Sequence, residues 1–384
     1  MCAGTGTWLW PRLLSVALAT GCAGAVQPAP VAPPAPATEV ETRLYLIGDA
    51  GNPSPRGEPV LQALSRQLGE APGKSFVVYL GDNVYPAGLP DTGAPDRPEA
   101  ERRLDAQLEA VRVAGVKALF LPGNHDWSRP GDQGWAAIRR EGQYLDRQGA
   151  PLATLLPRDG CPGPTVTDLG RRLRLVVLDT QWWLQPGAKP RDPVSECPAD
   201  SEPEIVDSLR AALRGAGGRQ VIVVAHHPLE TGGTHGGHFL WTDHLFPLRQ
   251  LSPVLWIPLP VLGSIYPLAR RWGASPQDIS NGANRRMRNA LEEAFAGHQP
   301  LVYASGHDHN LQVLDGENGK YLLVSGAGIF GHTGPVSRHP HTRYALAASG
   351  FMRLDVLESG RVRLGVFQVD RSGSATERYS AWLE

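Results

Sequence analysis

Few cysteines, almost no net charge and no internal repeat set the first limits on this chain of 384 residues. Its four cysteines form no Cys-x-x-Cys pair, so cysteine ligands to a metal are not expected. The formal net charge is -1 and the sequence pI is about 6.9, without the basic excess of a nucleic-acid-binding surface. No nucleic-acid partner is therefore expected. Hydrophobic residues make up 41% of the chain, which is ample for a large core.

Apolar runs without proline are short, and one of them lies near the amino terminus. Arg12 precedes the run 13–19, which predicts a secretory signal over residues 1–22, too short to remain as a membrane span. Cys22 follows Ala-Thr-Gly and resembles the lipid-bearing cysteine of a bacterial lipobox; the alternative is a soluble, cleaved signal. Residues 23–41 are rich in alanine and proline and predict an extended tether. We expect an exported protein of the periplasm or cell envelope, held to a membrane through Cys22.

Two cysteines remain in the body of the chain. Cys161 and Cys197 either pair in an oxidising compartment or stay as two separate thiols in loops. The sequence leaves both possibilities open.

Short apolar runs alternate with helical patterns through the rest of the chain. Strands are predicted at 43–47, 75–80, 117–121, 173–178, 220–224, 300–305, 320–324, 351–357 and 361–369. Helices are predicted at 59–68, 98–114 and 285–295. This alternation predicts an α/β fold with a largely parallel, buried sheet and antiparallel strands at its end. Ligands of such sheets bind at the carboxyl ends of the strands.

Five short polar turns lie at such strand ends, and each carries metal-ligand side chains. They are Gly48-Asp49-Ala50-Gly51, Gly81-Asp82-Asn83-Val84-Tyr85, Gly123-Asn124-His125-Asp126, Ala225-His226-His227-Pro228 and Gly306-His307-Asp308-His309. Each motif alone is equally consistent with a polar turn, a helix cap or a core residue. Their joint occurrence favours one metal site.

The candidate ligands exceed the needs of one ion. They are Asp49, Asp82, Tyr85, Asn124, His226, His307 and His309. Seven ligands suit two adjacent ions, with Asp82 placed to bridge them. A phenol ionises near neutral pH only beside a strongly acidic cation, so Tyr85 points to a ferric ion.

In this order, the five motifs resemble those of the purple acid phosphatases, particularly the small tartrate-resistant type, within the calcineurin-like metallophosphoesterases. The resemblance covers about residues 43–330 and implies a β-sandwich flanked by helices (α-β-β-α) within a catalytic domain over 42–384. It places Fe(III) on Asp49, Asp82, Tyr85 and His309. A second ion, Fe(II), Zn or Mn, would then bind Asp82, Asn124, His226 and His307.

The resemblance also assigns two histidines outside the ligand set. His125 follows the ligand asparagine, and His235 lies nine residues beyond His226. They are expected to neutralise phosphoryl oxygens or to protonate the leaving group. His227 is expected to be structural, because His226 better matches the ligand position.

The implied activity is hydrolysis of a small phosphomonoester by metal-bound hydroxide at acidic to neutral pH. A phosphodiesterase or nucleotide pyrophosphohydrolase on the same scaffold is the alternative. Tyr85 argues against it, because typical diesterase relatives lack this phenolate. A non-catalytic surface binding protein is a third possibility, against which the complete ligand set argues.

One region departs from the family pattern. Residues 239–280 form an insertion that contains an uncharged, apolar run over 250–269 with four prolines, too many for a stable transmembrane helix. It is interpreted as packed core, as a hydrophobic wall of the substrate cleft, or as a membrane-surface patch. The cleft-wall interpretation predicts a lid that favours apolar leaving groups.

Overall fold

The computed structural model describes residues 31–128, 133–193, 195–250, 254–317 and 319–384. The predicted signal segment, and Cys22 with it, lie outside the described residues. The strands are β1 (Val40–Ile47), β2 (Ser75–Tyr79), β3 (Lys117–Phe120), β4 (Ala153–Leu155), β5 (Thr165–Leu169), β6 (Leu173–Val177), β7 (Gln220–Val224), β8 (Val302–Ser305), β9 (Leu311–Asp315), β10 (Tyr321–Ser325), β11 (Thr342–Leu346), β12 (Gly350–Leu357), β13 (Val362–Val369) and β14 (Ala375–Leu383). The helices are α1 (Pro59–Glu70), α2 (Arg97–Arg112), α3 (Gln133–Gln148), α4 (Gln181–Leu184), α5 (Glu202–Arg214), α6 (Trp241–Leu245), α7 (Ile265–Arg271) and α8 (Gly282–Phe295).

The described strands form two mixed sheets of seven strands. One has the order β14-β13-β12-β1-β2-β3-β4, and the other has the order β11-β9-β10-β8-β7-β6-β5. Strands β1 to β4 are parallel in the first sheet, as are β6, β7, β8 and β10 in the second. Antiparallel strands complete both sheets. The predicted α/β sandwich is confirmed, with the parallel strands divided between two sheets.

Three apolar layers hold the sandwich together, because side chains alternate along each strand. Leu44 and Leu46 of β1 face the cluster between the sheets, where Ile222 and Val224 of β7 also lie. Tyr45 and its outward-facing neighbours belong to a second cluster with residues of α1, α2 and α3. The outer face of the other sheet packs with α4, α5 and α8. The secondary structure is therefore arranged in four layers, in the order helices, first sheet, second sheet, helices.

Part of the predicted tether lies against the first sheet. Val31 forms a bridge with Ser380 of β14. Arg363 of β13 is buried, and its guanidinium donates to the carbonyl oxygens of Ala32 and Pro33, each at 2.8 Å. Residues 31–33 are thus fixed to β13 and β14.

Cys161 and Cys197, which the sequence left open, are joined in a disulfide. It connects the segment after β4 to the segment before α5, across a sequence separation of 36 residues.

None of the described helices is both long enough and apolar enough to cross a membrane.

Candidate metal centre

The predicted ligands lie at, or just beyond, the carboxyl ends of parallel strands from both sheets. In the first sheet they follow β1, β2 and β3, and in the second they follow β7 and β8. The ligands in chain order are Asp49, Asp82, Tyr85, Asn124, His226, His307 and His309. Because the two sheets face each other, these ends meet at one edge of the sandwich, and the seven side chains form two contiguous groups.

The first donor group surrounds the hydroxyl of Tyr85. Its oxygen lies 3.1 Å from Asp49 Oδ1, 3.0 Å from Asp82 Oδ2 and 3.2 Å from His309 Nε2. A phenol has one proton, which can satisfy only one of these neighbours. The group is therefore richer in lone pairs than in protons.

The second donor group surrounds the side-chain oxygen of Asn124. It lies 3.0 Å from His226 Nε2 and 2.9 Å from His307 Nδ1, and the two nitrogens are 3.2 Å apart. Asp82 Oδ1 lies 3.5 Å from His226 Nε2. Asp82 thus directs one oxygen to each group, as a bridging carboxylate requires.

Backbone carbonyls set which ring nitrogens of the two histidines carry protons. His226 Nδ1 donates to Leu80 O at 2.8 Å, so its Nε2 presents a lone pair. His307 Nε2 donates to Gln277 O at 3.3 Å, so its Nδ1 does the same. Both lone pairs then converge on the Asn124 oxygen, which is itself an acceptor. Such a cluster of acceptors is stabilised by a cation.

Donor spacing and burial also fit metal binding. Neighbouring donors in an octahedral shell with bonds of about 2.1 Å are roughly 3 Å apart, and the distances above are close to that value. Burial raises the pKa of Asp49 to about 8, and burial with the neighbouring Asp82 carboxylate raises that of Tyr85. The charged forms of these ligands therefore require positive charge beside them. The residues present fit two cations.

The backbone is strained at three of the ligands. Asp49, Asp82 and His307 have φ values of 58°, 57° and 71°, in the left-handed region that side chains rarely adopt. Each of them directly follows a glycine at a strand end. A hydrogen bond between two of these ligands holds the turn at His307 in place: the His307 N–H donates to Asp49 Oδ2 at 2.8 Å. Strain at these positions is typical of a functional site.

Glycine at position 123 allows two ligand loops to approach each other. A Cβ atom there would lie 2.3 Å from Asp82 Oδ1, well inside any allowed contact. In the same way, a Cβ at Gly51 would meet the backbone of Asp82 and Asn83 at 2.3–2.5 Å. Gly51 and Gly123 therefore both allow the loops that carry the ligands to pack closely against the loop at Asp82.

His125 lies beside the first donor group. Its Nδ1 donates to Pro86 O at 2.6 Å, and its Nε2 is 4.0 Å from Asp82 Oδ2. Its ring packs on Tyr85 with centroids 4.3 Å apart, and about a third of the side chain is exposed. The Nε2 edge of the ring therefore lies next to the predicted ligands.

His235 lies beside the second donor group and is positioned by the insertion. Its ring packs on His307 with centroids 3.8 Å apart. Arg270 Nη2 donates to His235 Nδ1 at 3.0 Å, and Asp278 Oδ1 lies 3.6 Å from the same nitrogen. Because arginine only donates, Nδ1 is the acceptor, and Nε2 carries the proton of the neutral ring. His235 therefore offers an N–H donor.

His227 lies close enough to His226 and His307 to be considered a third ligand. However, both of its ring nitrogens have partners: Thr180 Oγ1 at 2.8 Å and Gln277 Oε1 at 2.6 Å. Its contacts support the structural role expected from the sequence.

The sequence model of the calcineurin-like phosphoesterase family matches residues 42–333. The chain belongs to this family. Its members depend on two metal ions and hydrolyse phosphoesters, which agrees with the two donor groups. Among curated proteins, no match was found.

Solved structures share the fold of this phosphoesterase at low identity. One is GAP50, the anchor in the inner membrane complex of Plasmodium, at 17% identity and a TM-score of 0.55, covering 90% of this chain and 89% of that one. Another is a purple acid phosphatase from yellow lupin (Lupinus luteus) seeds, at 14% identity and a TM-score of 0.54, covering 88% of this chain and 53% of that one. A third, PhoD, has 13% identity and a TM-score of 0.54, covering 91% and 71%.

Several residues around the phosphoesterase centre were not predicted as site residues, and all but Asp308 lie outside the five motifs. Arg270, Gln277 and Asp278 reach the site from the insertion, through the contacts given above. Asp308, between the two ligand histidines, accepts from the His235 backbone N–H at 3.3 Å and from Thr231 Oγ1. His332 packs on His309 with ring centroids 4.2 Å apart. Of these, only Asp308 could have been singled out, by its place inside the Gly-His-x-His motif.

Proposed function

We propose that this phosphoesterase is an exported, dinuclear metallophosphatase that hydrolyses small phosphomonoesters at acidic to neutral pH. The observation that carries the proposal is the position of the Tyr85 hydroxyl, within 3.2 Å of Asp49, Asp82 and His309. A phenol in that place suits a ferric ion, with Fe(II), Zn or Mn in the second donor group.

The chain's own residues have separable tasks in such a reaction. When bound, two cations would acidify the attacking water and neutralise charge on the phosphoryl oxygens. Asp82 fixes the distance between the two donor groups. The Nε2–H of His235 donates to a phosphoryl oxygen or to the leaving oxygen, while Arg270 holds the ring in that tautomer. His125 faces the same space from the side of Tyr85.

Two other functions remain as alternatives. A phosphodiesterase or nucleotide pyrophosphohydrolase would use the same fold, but Tyr85 favours the phosphomonoesterase. A non-catalytic surface protein is the other, and the GAP50 structure is described as an anchor. The complete donor set and the strained ligand backbone support catalysis instead.

The test is a substrate panel on purified protein with measured metal content. Aryl and alkyl phosphomonoesters should give higher kcat/KM than matched diesters or nucleoside triphosphates. A preference for diesters would assign the first alternative. Absence of turnover with both metals bound would assign the second.

We also propose that the chain is exported and carries a lipid on Cys22. The disulfide between Cys161 and Cys197 supports an oxidising compartment. Labelling of producing cells with a fatty-acid analogue should mark the wild type but not Cys22→Ser. Equal labelling of both proteins, or of neither, would contradict the lipid anchor.

A further inference from the structure

The described part of residues 240–272 exposes a concentration of large apolar side chains. Thirteen such side chains are exposed in the described residues, and ten of them fall in this segment, with exposed fractions between 41% and 84%. They are Leu240, Trp241, Val254, Trp256, Ile257, Val261, Leu262, Ile265, Tyr266 and Trp272. The core-packing interpretation is therefore wrong for these side chains. We call them the apolar surface.

The segment that carries the apolar surface is folded on itself. The Leu259 N–H donates to Leu245 O at 2.8 Å, and His244 Nδ1 lies 3.1 Å from Ser264 Oγ. Phe246 packs on Trp256 with ring centroids 5.2 Å apart. The exposed side chains are thus displayed by a structured segment, and their exposure costs free energy in water.

The composition of the apolar surface suits the boundary between water and lipid. Tryptophan and tyrosine favour that boundary because one end of each ring system is apolar and the other is polar. Here three indoles and one phenol lie among aliphatic side chains that can enter the acyl region. The longest described helix within the segment is α7, of seven residues, so insertion would be shallow.

The charges of the segment fit an anionic lipid surface. It has three arginines, at 249, 270 and 271, and one aspartate, Asp243, which accepts from the Leu240 N–H at 2.9 Å. Arg249 lies over the Trp256 ring at 3.9 Å, which places a guanidinium beside an exposed indole. Arg270 is paired with the fully buried Asp278, just beyond the segment, and contacts His235, so Arg249 and Arg271 supply the basic charge beside the apolar surface. Basic groups at the rim of an apolar surface attract anionic headgroups.

We propose that the apolar surface docks this protein onto an anionic lipid bilayer. The lipid proposed on Cys22 would bring the protein to such a bilayer. Residue 31 is fixed to β14, and eight residues lie between it and Cys22. The nine Cα-to-Cα steps from residue 22 to residue 31 span at most about 30 Å, so a lipid on Cys22 would keep the domain close to a bilayer. A protein partner is the less favoured occupant, because the run over 250–269 offers no charge to specify one.

The test uses the full chain and vesicles of phosphatidylcholine and phosphatidylglycerol with brominated acyl chains, which quench nearby tryptophans. The triple variant Val254→Ser, Val261→Ser, Ile265→Ser removes apolar contacts but keeps every tryptophan reporter. Quenching should be strong in the wild type. The partition coefficient of the protein between vesicles and water should fall by about 100-fold in the variant. Both proteins carry Cys22→Ser, so no lipid contributes to vesicle binding, and Trp8 and Trp10 of the predicted signal segment are the same in both.

The control variant is Val113→Ser, Val166→Ser, which changes exposed valines outside the apolar surface and should quench like the wild type. Equal quenching of wild type and triple variant, or none in either, would overturn the proposal. A dimer that the wild type and the control variant form without vesicles, and that the triple variant does not form, would also overturn the proposal. It would assign the apolar surface to contact with a second copy of the chain. If the triple variant misfolds, Val261→Asp alone replaces it. Turnover of a water-soluble phosphomonoester without vesicles should not change, so this test is independent of the proposed activity.

Discussion

Asp82 is the residue on which the two donor groups depend. Its oxygens face Tyr85 and His226 separately. Asp82→Asn removes the negative charge that two cations would share, so two cations held there would repel each other at short range. We expect Asp82→Asn to lose at least one metal ion per chain and nearly all turnover, measured by metal analysis beside activity. Full metal occupancy with a near-normal rate would show that Asp82 is not the bridge.

A second prediction at the residue scale concerns Asp179, away from the predicted ligands. Burial raises its pKa to about 8, and it accepts from Trp127 Nε1 at 2.9 Å. Unfolded aspartate has a pKa of about 3.9. As pH rises from about 4 to 8, the unfolded state loses this proton first, so the folded state loses stability. Asp179→Asn removes that slope.

Urea unfolding between pH 5 and 8 measures the effect. The difference in unfolding free energy between Asp179→Asn and wild type should shift in favour of the variant as pH rises. Any change in the hydrogen bond from Trp127 alters the unfolding free energy of the variant by the same amount at every pH. Asp168→Asn is the matched control: the Asp168 pKa is lowered, chiefly by its hydrogen bond from Arg174, so its effect lies below this pH range. Parallel curves for Asp179→Asn and wild type would contradict the assignment.

At the scale of elements, strand ends were predictable and long-range contacts were not. The runs that became β1, β2, β3 and β7 were predicted within a few residues, because buried parallel strands are continuous apolar runs. Helices α3 and α5 and strand β14 were not predicted, although Ile205, Leu209 and Ala212 of α5 recur at helical spacing behind a capping residue, Ser201. The contact of Arg270 with His235 spans 35 residues and has no periodic signal.

That contact gives a prediction for the insertion as an element. His235→Ala should keep both metals and lower kcat by about 10²-fold, less for substrates with good leaving groups. Arg270→Met should reproduce that leaving-group trend at about a tenfold loss, since it acts by orienting the ring. Arg271→Met is the control and should leave kcat unchanged.

Because Arg270→Met leaves Asp278 buried without its partner, the double variant with Asp278→Asn is measured as well. It should fold and show the same leaving-group dependence as Arg270→Met. A loss that is equal for all leaving groups would assign Arg270 to binding or folding alone.

At the scale of the whole molecule, the centre exists only where the two sheets meet. The first sheet supplies Asp49, Asp82 and Asn124, and the second supplies the three histidines. The five motifs predicted this convergence, because parallel strands end at one edge. They could not predict the exposed apolar surface, since an uncharged run rich in proline fits a core as well as a surface.

The visible absorption spectrum of the iron-loaded protein is the most direct test of the dimetal centre. Tyr85 lies within 3.2 Å of three other predicted ligands, so its phenolate bound to Fe(III) should give a charge-transfer band and a purple or pink protein. Tyr85→Phe should lose the band and keep its fold. An iron-replete wild type without colour, or a band that persists in Tyr85→Phe, would contradict the account.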